Sequence, residues 1–221
     1  MMANNFITRL LYPDKCPLCR KLLQDNETLL CRHCAANTPE ALKLKRKIPF
    51  LSGAFALWYY ENEVRGSLIR FKFRHRRIYA RSYGTILAAK LQNLPERYDL
   101  VTWVPVSRLR KLKRGYDQVE LIAYALCKDL QTTPVSCLKK VRHTPPQSGI
   151  FSAAQRRANV LGAYRVPDQT LVAGKRILLL DDIITTGATI SECAKTLMTA
   201  GAKEVYGVAI AATREHKQTS R

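Results

Sequence analysis

Ile177-Leu178-Leu179-Leu180-Asp181-Asp182-Ile183-Ile184-Thr185-Thr186-Gly187-Ala188-Thr189 is the stretch that places this chain in a fold class. In the run 176–181 the four residues between Arg176 and Asp181 are apolar without alternation, the composition of a strand buried on both faces in a parallel sheet. It delivers two adjacent carboxylates to the carboxyl edge of the sheet, where open α/β sheets take their ligands. The loop behind it leads into a helix whose first N–H groups and dipole favour a phosphate. Gly187 lets the backbone close on the anion, and the threonine hydroxyls add donors. Carboxylates close by suit a sugar diol, so one ligand answers both halves: a ribose carrying a 5′-phosphate. A Walker loop would end in Gly-Lys-Ser or Gly-Lys-Thr, which this loop does not. The acidic doublet of a phosphorylated receiver domain would follow an early strand, with no Thr-Thr-Gly-Ala-Thr behind it.

Outward from this motif the pattern is strand, loop and helix in repetition. Residues 100–105 form a short apolar run that ends in a loop. Residues 117–130 space Val119, Ile122, Ala123, Leu126 and Leu130 for one buried helical face. A strand is expected at 135–141 and a charged loop or short helix at 152–161. Downstream of the motif, 190–200 reads as a helix closed by Gly201, and 205–211 as a last buried strand. Upstream, 54–60 is β-prone, while 62–73 and 77–94 are helical, the second with Tyr79, Tyr83, Ile86, Leu87 and Leu91 on one face. Apolar strands alternating with helices imply an α/β fold with a parallel, Rossmann-like sheet.

The amino-terminal part follows a different logic. Among seven cysteines, four form two pairs, Cys16-Pro17-Leu18-Cys19 and Cys31-Arg32-His33-Cys34, separated by eleven residues. Each CxxC knuckle turns two thiolates toward one metal, and two knuckles complete a tetrahedral four-cysteine zinc site. A disulfide pair would suit an oxidising compartment, and a redox CxxC would follow a strand in a βαβ unit; neither context is present. The ribbon spans about 13–38, too short for its own core, so the metal supplies folding energy. A basic linker follows at 39–49, giving an expected division into 1–48 (zinc ribbon and linker) and 49–221. His33 falls outside the ligand set, and Cys127, Cys137 and Cys193 read as ordinary thiols.

Composition sets the partners. The 221 residues are 47% hydrophobic and 24% charged, enough for a core and incompatible with wholesale disorder. Lys and Arg number 37 against 17 acids, a net charge of +20, which points to a polyanionic partner. No secretory signal and no membrane-length apolar run are visible, so a soluble, cytoplasmic protein is expected. Residues 64–95 hold eight cations and no acid, and 108–114 hold five more. Phe71, Phe73, Tyr79, Tyr83 and Tyr116 are interleaved with them, a combination suited to single-stranded nucleic acid. The candidate contacts are Arg70, Lys72, Arg74, Arg76, Arg77, Arg110, Lys111, Lys113 and Arg114.

The motif 177–189 resembles the phosphoribosyl pyrophosphate (PRPP) motif of type I phosphoribosyltransferases. Pro105-Val106-Ser107-Arg108, Arg114-Gly115-Tyr116-Asp117-Gln118, Arg142-His143-Thr144-Pro145-Pro146-Gln147 and Arg156-Arg157-Ala158-Asn159-Val160 follow the order found in the ComF family. With the double CxxC, nearly the whole chain resembles that ComFC- and GntX-like group, a zinc ribbon joined to a phosphoribosyltransferase-like domain. Departures are Asp117, where the family more often has Asn, and Ile150, where Leu is usual. The resemblance implies that Asp181 and Asp182 are the catalytic pair on the ribose hydroxyls. It also implies that Thr185, Thr186, Gly187, Ala188 and Thr189 hold the 5′-phosphate. Pro105, Val106, Ser107 and Arg108 would form the pyrophosphate loop, with Mg²⁺, and Arg142, Gln147 and Arg156 would belong to a flap over 142–157. It further implies DNA uptake and natural transformation, beside a competence helicase or recombination mediator. Two functions follow: a competence protein that binds single-stranded DNA and PRPP, or a metabolic phosphoribosyltransferase with an unknown acceptor.

Overall fold

The apolar run that begins at Arg176 lies inside a parallel sheet, as its composition requires. The structure is a computed structural model and describes residues 14–74, 76–92, 97–145 and 152–214. The strands of the main sheet are β1 (Glu40–Lys43), β2 (Gly53–Tyr59), β3 (Leu100–Trp103), β6 (Arg176–Ile184) and β7 (Glu204–Ala212). Their spatial order is β1-β2-β7-β6-β3, with β1 antiparallel at one edge and the other four parallel. In β6, Ile177 and Leu179 enter one hydrophobic cluster while Leu178 and Leu180 enter the other. Both faces of that strand are buried, which is why it shows no alternation.

Helices α2 (Asn62–Phe73), α3 (Tyr79–Leu91) and α5 (Gln118–Asp129) cover the face that receives Leu178 and Leu180. Helices α6 (Ala153–Val160) and α7 (Ala188–Thr199) cover the other. Gly84 brings α3 and α5 into contact. A Cβ there would stand 2.5 Å from Ala125 Cβ and 2.6 Å from Leu126 N. The short helices α1 (Arg32–Asn37) and α4 (Arg108–Arg114) belong to the ribbon and to the loop after β3.

Three sequence expectations change. Only Lys139–Lys140 of 135–141 is strand (β4), paired with Tyr164–Arg165 (β5) in a separate two-stranded ribbon. Val135 donates one bond to Val101 O at 2.8 Å, but Pro134 has no N–H with which to extend a ladder. Strand β6 does not stop at Asp181, because β7 continues beside it: Asp181 pairs with Ala209, Ile183 with Ala211 and Ile184 with Ala212. Within the stretch read as a linker, Glu40–Lys43 adds an edge strand to the sheet.

The amino-terminal knuckle is sewn onto α2. Leu18 is buried in the same core as Phe71 and Tyr83. Ser67 Oγ donates to Pro17 O, and the Arg70 guanidinium donates to Pro17 O at 3.0 Å and to Leu18 O at 2.6 Å.

Candidate functional site

β3 and β6 are neighbours whose following helices leave toward opposite faces, α5 to one and α7 to the other. Where outgoing helices part, a crevice opens at the carboxyl ends of the strands. The last β3–β6 pair is Trp103 with Leu180, so Asp181 and Asp182 emerge just beyond the end of β3. The pleat turns them to opposite faces. Asp182 meets the α2/α5 side: Lys72 Nζ stands 2.9 Å from its Oδ2, and Gln118 Nε2 donates to the same oxygen at 3.0 Å. Asp181 Oδ1 accepts the N–H of Asp182 at 2.8 Å.

The two carboxylates therefore differ electrically. Burial acts to raise the pKa of Asp182, but the Lys72 ammonium and the Gln118 amide outweigh it and hold the group below the usual carboxylate range. Asp181 is pushed upward, first by burial and then by the charge on Asp182. One acid is ionised and the other is held more protonated, a split produced by environment alone.

The loop beyond them is built for an anion. Gly187 has φ +79° and precedes α7, and a Cβ there would meet the Ile48 side chain at 3.1 Å. Gly187 offers no side-chain cap to the helix, and Thr186 Oγ1 reaches the Ala188 N–H only at 3.4 Å. The first N–H groups of α7 thus face a small open hollow lined by Asp181 and residues 183–190. Arg46 Nη2 donates to Ile184 O at 2.9 Å, which brings a guanidinium against the base of the loop.

A larger open cleft adjoins the loop after β3. Its lining includes Pro105, Val106, Ser107, Arg108, Lys140 and Arg142. Asp117 shapes this loop from beneath. Its carboxylate accepts from Val106 N at 3.0 Å and caps α5 through Val119 N and Glu120 N. The Asp117 carboxylate is thereby absorbed in backbone bonds. Lys140 Nζ lies 3.2 Å from Tyr164 Oη and 5.0 Å from the centre of that ring. Burial, reinforced by Arg110, brings its pKa down to about 8.

Of the flap residues, Arg142 donates to Asn159 O at 3.1 Å and Leu161 O at 2.7 Å, closing the end of α6. Arg156 lies on α6, and Gln147 lies outside the described residues. Arg110 ties the other arm by donating to Thr144 O at 2.8 Å.

The four cysteines converge. The sulfurs of Cys16, Cys19, Cys31 and Cys34 all lie within 4.8 Å of one another. A tetrahedral zinc with Zn–S bonds of about 2.3 Å needs sulfurs about 3.8 Å apart, so the cluster fits that ion. Cys31 also caps α1, its Sγ accepting from Cys34 N at 3.5 Å.

The expected nucleic-acid set divides. Arg70 and Lys72 turn inward, to the ribbon carbonyls and to Asp182. Arg77 donates to Gly115 O at 2.8 Å and covers the Tyr116 ring, Lys111 pairs with Glu120 at 2.8 Å, and Arg114 lies over Phe73. Arg74, Arg76 and Lys113 are exposed, with no side-chain partner among the described residues. The aromatics are a correction. Phe71, Tyr79, Tyr83 and Tyr116 are core residues, and of those five only Phe73, 65% exposed, presents a face to solvent. Residues two apart on a helix face nearly opposite sides, so Phe71 enters the core while Phe73 faces water.

Sequence reasoning missed Gln118 and Lys140 as site residues. Gln118 was visible as part of the Arg114–Gln118 motif, but its contact with Asp182 spans 64 positions. Lys140 had no local signal at all. Among the described residues no helix is long and apolar enough to cross a membrane.

Known proteins are similar to this chain in sequence. Residues 112–221 match the family model described as the phosphoribosyl transferase domain, and the sheet and crevice are those of a type I phosphoribosyltransferase fold. The chain is 31% identical to Competence protein F of Haemophilus influenzae over 149 residues, covering 63% of this chain and 65% of that protein. It is 33% identical to DNA utilization protein YhgH of Escherichia coli O157:H7 over 113 residues, covering 51% of this chain and 47% of that one. It is 27% identical to Competence protein ComFC of Streptococcus pneumoniae over 195 residues, covering 87% of this chain and 78% of that protein. The chain thus spans less than two thirds of the first of these relatives and about half of the second.

Proposed function

As this chain belongs to the ComF family, we propose that it is a cytoplasmic competence protein that binds PRPP in the β3/β6 crevice and single-stranded DNA on its basic surface. The observation that carries the PRPP half is the juxtaposition of the uncapped α7 N-terminus with a buried acid pair, one member of which is ionised. The ribose 5-phosphate sits with its phosphate on residues 185–189 and its diol on Asp182 and Asp181. The pyrophosphate lies along Pro105, Val106, Ser107 and Arg108, facing Lys140. Mg²⁺ bound with PRPP supplies charge neutralisation of the pyrophosphate. The amino-terminal unit, 1–48, is a zinc ribbon followed by a basic linker; the four cysteines of the ribbon hold structural zinc, and its knuckle fixes α2, the helix that carries Lys72. The phosphoribosyltransferase-like domain runs from 49 to 221.

The DNA half rests on charge: Arg74, Arg76 and Lys113 are exposed cations, and Phe73, next to Arg74 in the sequence, is an exposed ring. Phosphate contacts carry no sequence preference, and one ring adds a single stacking face. A competence helicase or a recombination mediator is the protein partner this role implies.

Calorimetry with PRPP and Mg²⁺ tests the first half, with Asp182→Asn expected to weaken binding at least tenfold. Unchanged affinity would remove the site from this crevice. For the second half, Arg74→Ala, Arg76→Ala and Lys113→Ala together should reduce the slope of log affinity against log salt by about 2, at about 0.7 per neutralised phosphate. An unchanged slope would take DNA off this surface. PRPP consumption over a panel of bases and amines, with DNA making no difference, would instead favour the metabolic transferase.

A further inference from the structure

Gln118 opens α5 and is 3% exposed. Its amide nitrogen donates to Asp182 Oδ2 at 3.0 Å, the oxygen that also meets Lys72 at 2.9 Å. Paired with an ammonium, that carboxylate is ionised, and an ionised carboxylate repels an amide oxygen. The amide is therefore obliged to turn its NH₂ group toward Asp182. Its oxygen is consequently buried, one planar group away from the acid pair, with no hydrogen-bond donor among the described residues. Buried acceptors without donors are rare in folded proteins, and each marks a place where something else donates.

We propose that Gln118 is the residue by which this crevice selects ribose over 2-deoxyribose. The inference rests on the reading above, that residues 181–189 take a ribose 5-phosphate group. Lys72 and Gln118 both use Oδ2 of Asp182, so Oδ1 remains as one acceptor, and Gln118 Oε1 is a second. A vicinal diol donates two hydrogens and satisfies both, while Asp181, the more protonated acid, donates to a hydroxyl oxygen and does not compete for those hydrogens. A 2-deoxy sugar has one hydroxyl fewer and leaves a buried acceptor unpaired, which is how a site made to bond a hydroxyl rejects an analogue lacking it. The consequence for a protein that handles DNA is a division of labour. Phosphorylated ends of DNA, which carry 2-deoxyribose, are disfavoured in the crevice about tenfold, which biases the strand toward the outer surface. Lys72 acts as a positioning residue here, because it keeps Asp182 ionised and so keeps the Gln118 amide in one orientation.

The test is calorimetric titration of the zinc-loaded full chain with ribose 5-phosphate and with 2-deoxyribose 5-phosphate, in wild type, Gln118→Met and Gln118→Leu. Wild type is expected to prefer the ribo sugar by about tenfold, the worth of one good hydrogen bond. Both variants should bring the ratio of the two affinities close to one; each also removes the amide donor to Asp182, so the ratio within each variant, and not its absolute affinity or melting temperature, is the readout. Equal binding of the two sugars by wild type overturns the proposal without needing a variant. A preference that survives in the variants assigns selection to the acid pair and removes Gln118 from it. Wild type that binds neither sugar phosphate, nor PRPP, refutes the phosphoribosyl site itself and the inference with it.

Discussion

Lys72→Met is the most informative single substitution, because it removes the charge that keeps Asp182 ionised. Lys72 and Asp182 side chains are 18% and 10% exposed, so the pair is largely out of water. Removing one member of a buried pair costs about 3–5 kcal/mol. Here a ceiling follows from titration. The orphaned carboxylate can escape by taking a proton, which at pH 7 costs about 1.36 kcal/mol for each unit between pH 7 and the ordinary value of 3.8, or about 4.4 kcal/mol. At pH 5 the same ceiling is about 1.6 kcal/mol. In wild type the folded pKa of Asp182 lies below the unfolded value, so its contribution is present above that value and fades as pH falls through the folded one. In the variant the folded pKa rises above the unfolded value, so the penalty grows with pH until the buried group ionises. Urea unfolding of zinc-loaded protein is therefore expected to show a loss of about 3–4 kcal/mol at pH 7 and under about 2 kcal/mol at pH 5. Adding Asp182→Asn should return most of the loss at pH 7, since a neutral amide has no charge to strand. A loss below about 1 kcal/mol at pH 7, or one that does not change with pH, would refute the account of the acid pair.

Zinc content should be one per chain by elemental analysis, and Cys31→Ser should release the metal and lower the melting temperature, because Leu18 leaves the core with the knuckle. Folded protein without metal would dismiss the ribbon. Lys140, with its pKa at about 8, loses its charge above that pH, and an anion in the cleft restores the proton. Sulfate, whose own charge is constant over this range, should accordingly bind more weakly at pH 9 than at pH 7, and Lys140→Met should bind it with no such pH dependence. Equal pH profiles for the two proteins would take Lys140 out of the anion site. Gly84→Val should destabilise by about 3 kcal/mol or more, since even a Cβ meets Ala125 at 2.5 Å and the backbone of Leu126 at 2.6 Å. Chemical denaturation measures that loss, and a change under about 1 kcal/mol would mean that α3 and α5 are not in contact.

Local chemistry by itself was enough for several features. The unbroken apolar run 177–180, the Gly187 turn and the helix behind it are set by nearest neighbours, so strand, loop and helix were all legible. CxxC spacing places two sulfurs at one point through the geometry of a tight turn, and only the meeting of the two pairs needed the fold. Charge is a sum over residues and does not depend on how the chain folds, so the +20 was legible from composition alone.

Direction and partnership were not legible, because they depend on residues far apart in sequence. The cations of 70–77 look alike in the sequence. The turn of α2 sends Arg70 to the ribbon carbonyls and Lys72 to Asp182, while Arg74 and Arg76 stay in water. Phe71 and Phe73 are two positions apart, yet one fills the core and the other is exposed. Asp181 and Asp182 were read as an equivalent pair, and it took the pleat of β6 to give them different surroundings and different charge. Strand periodicity can be counted along a chain, but a pKa, an unpartnered amide oxygen or the end of a neighbouring strand is decided by what packs against it. That information exists only once α2, α5 and β6 have come together, since an electrostatic environment belongs to a place in the fold and not to a position in the sequence.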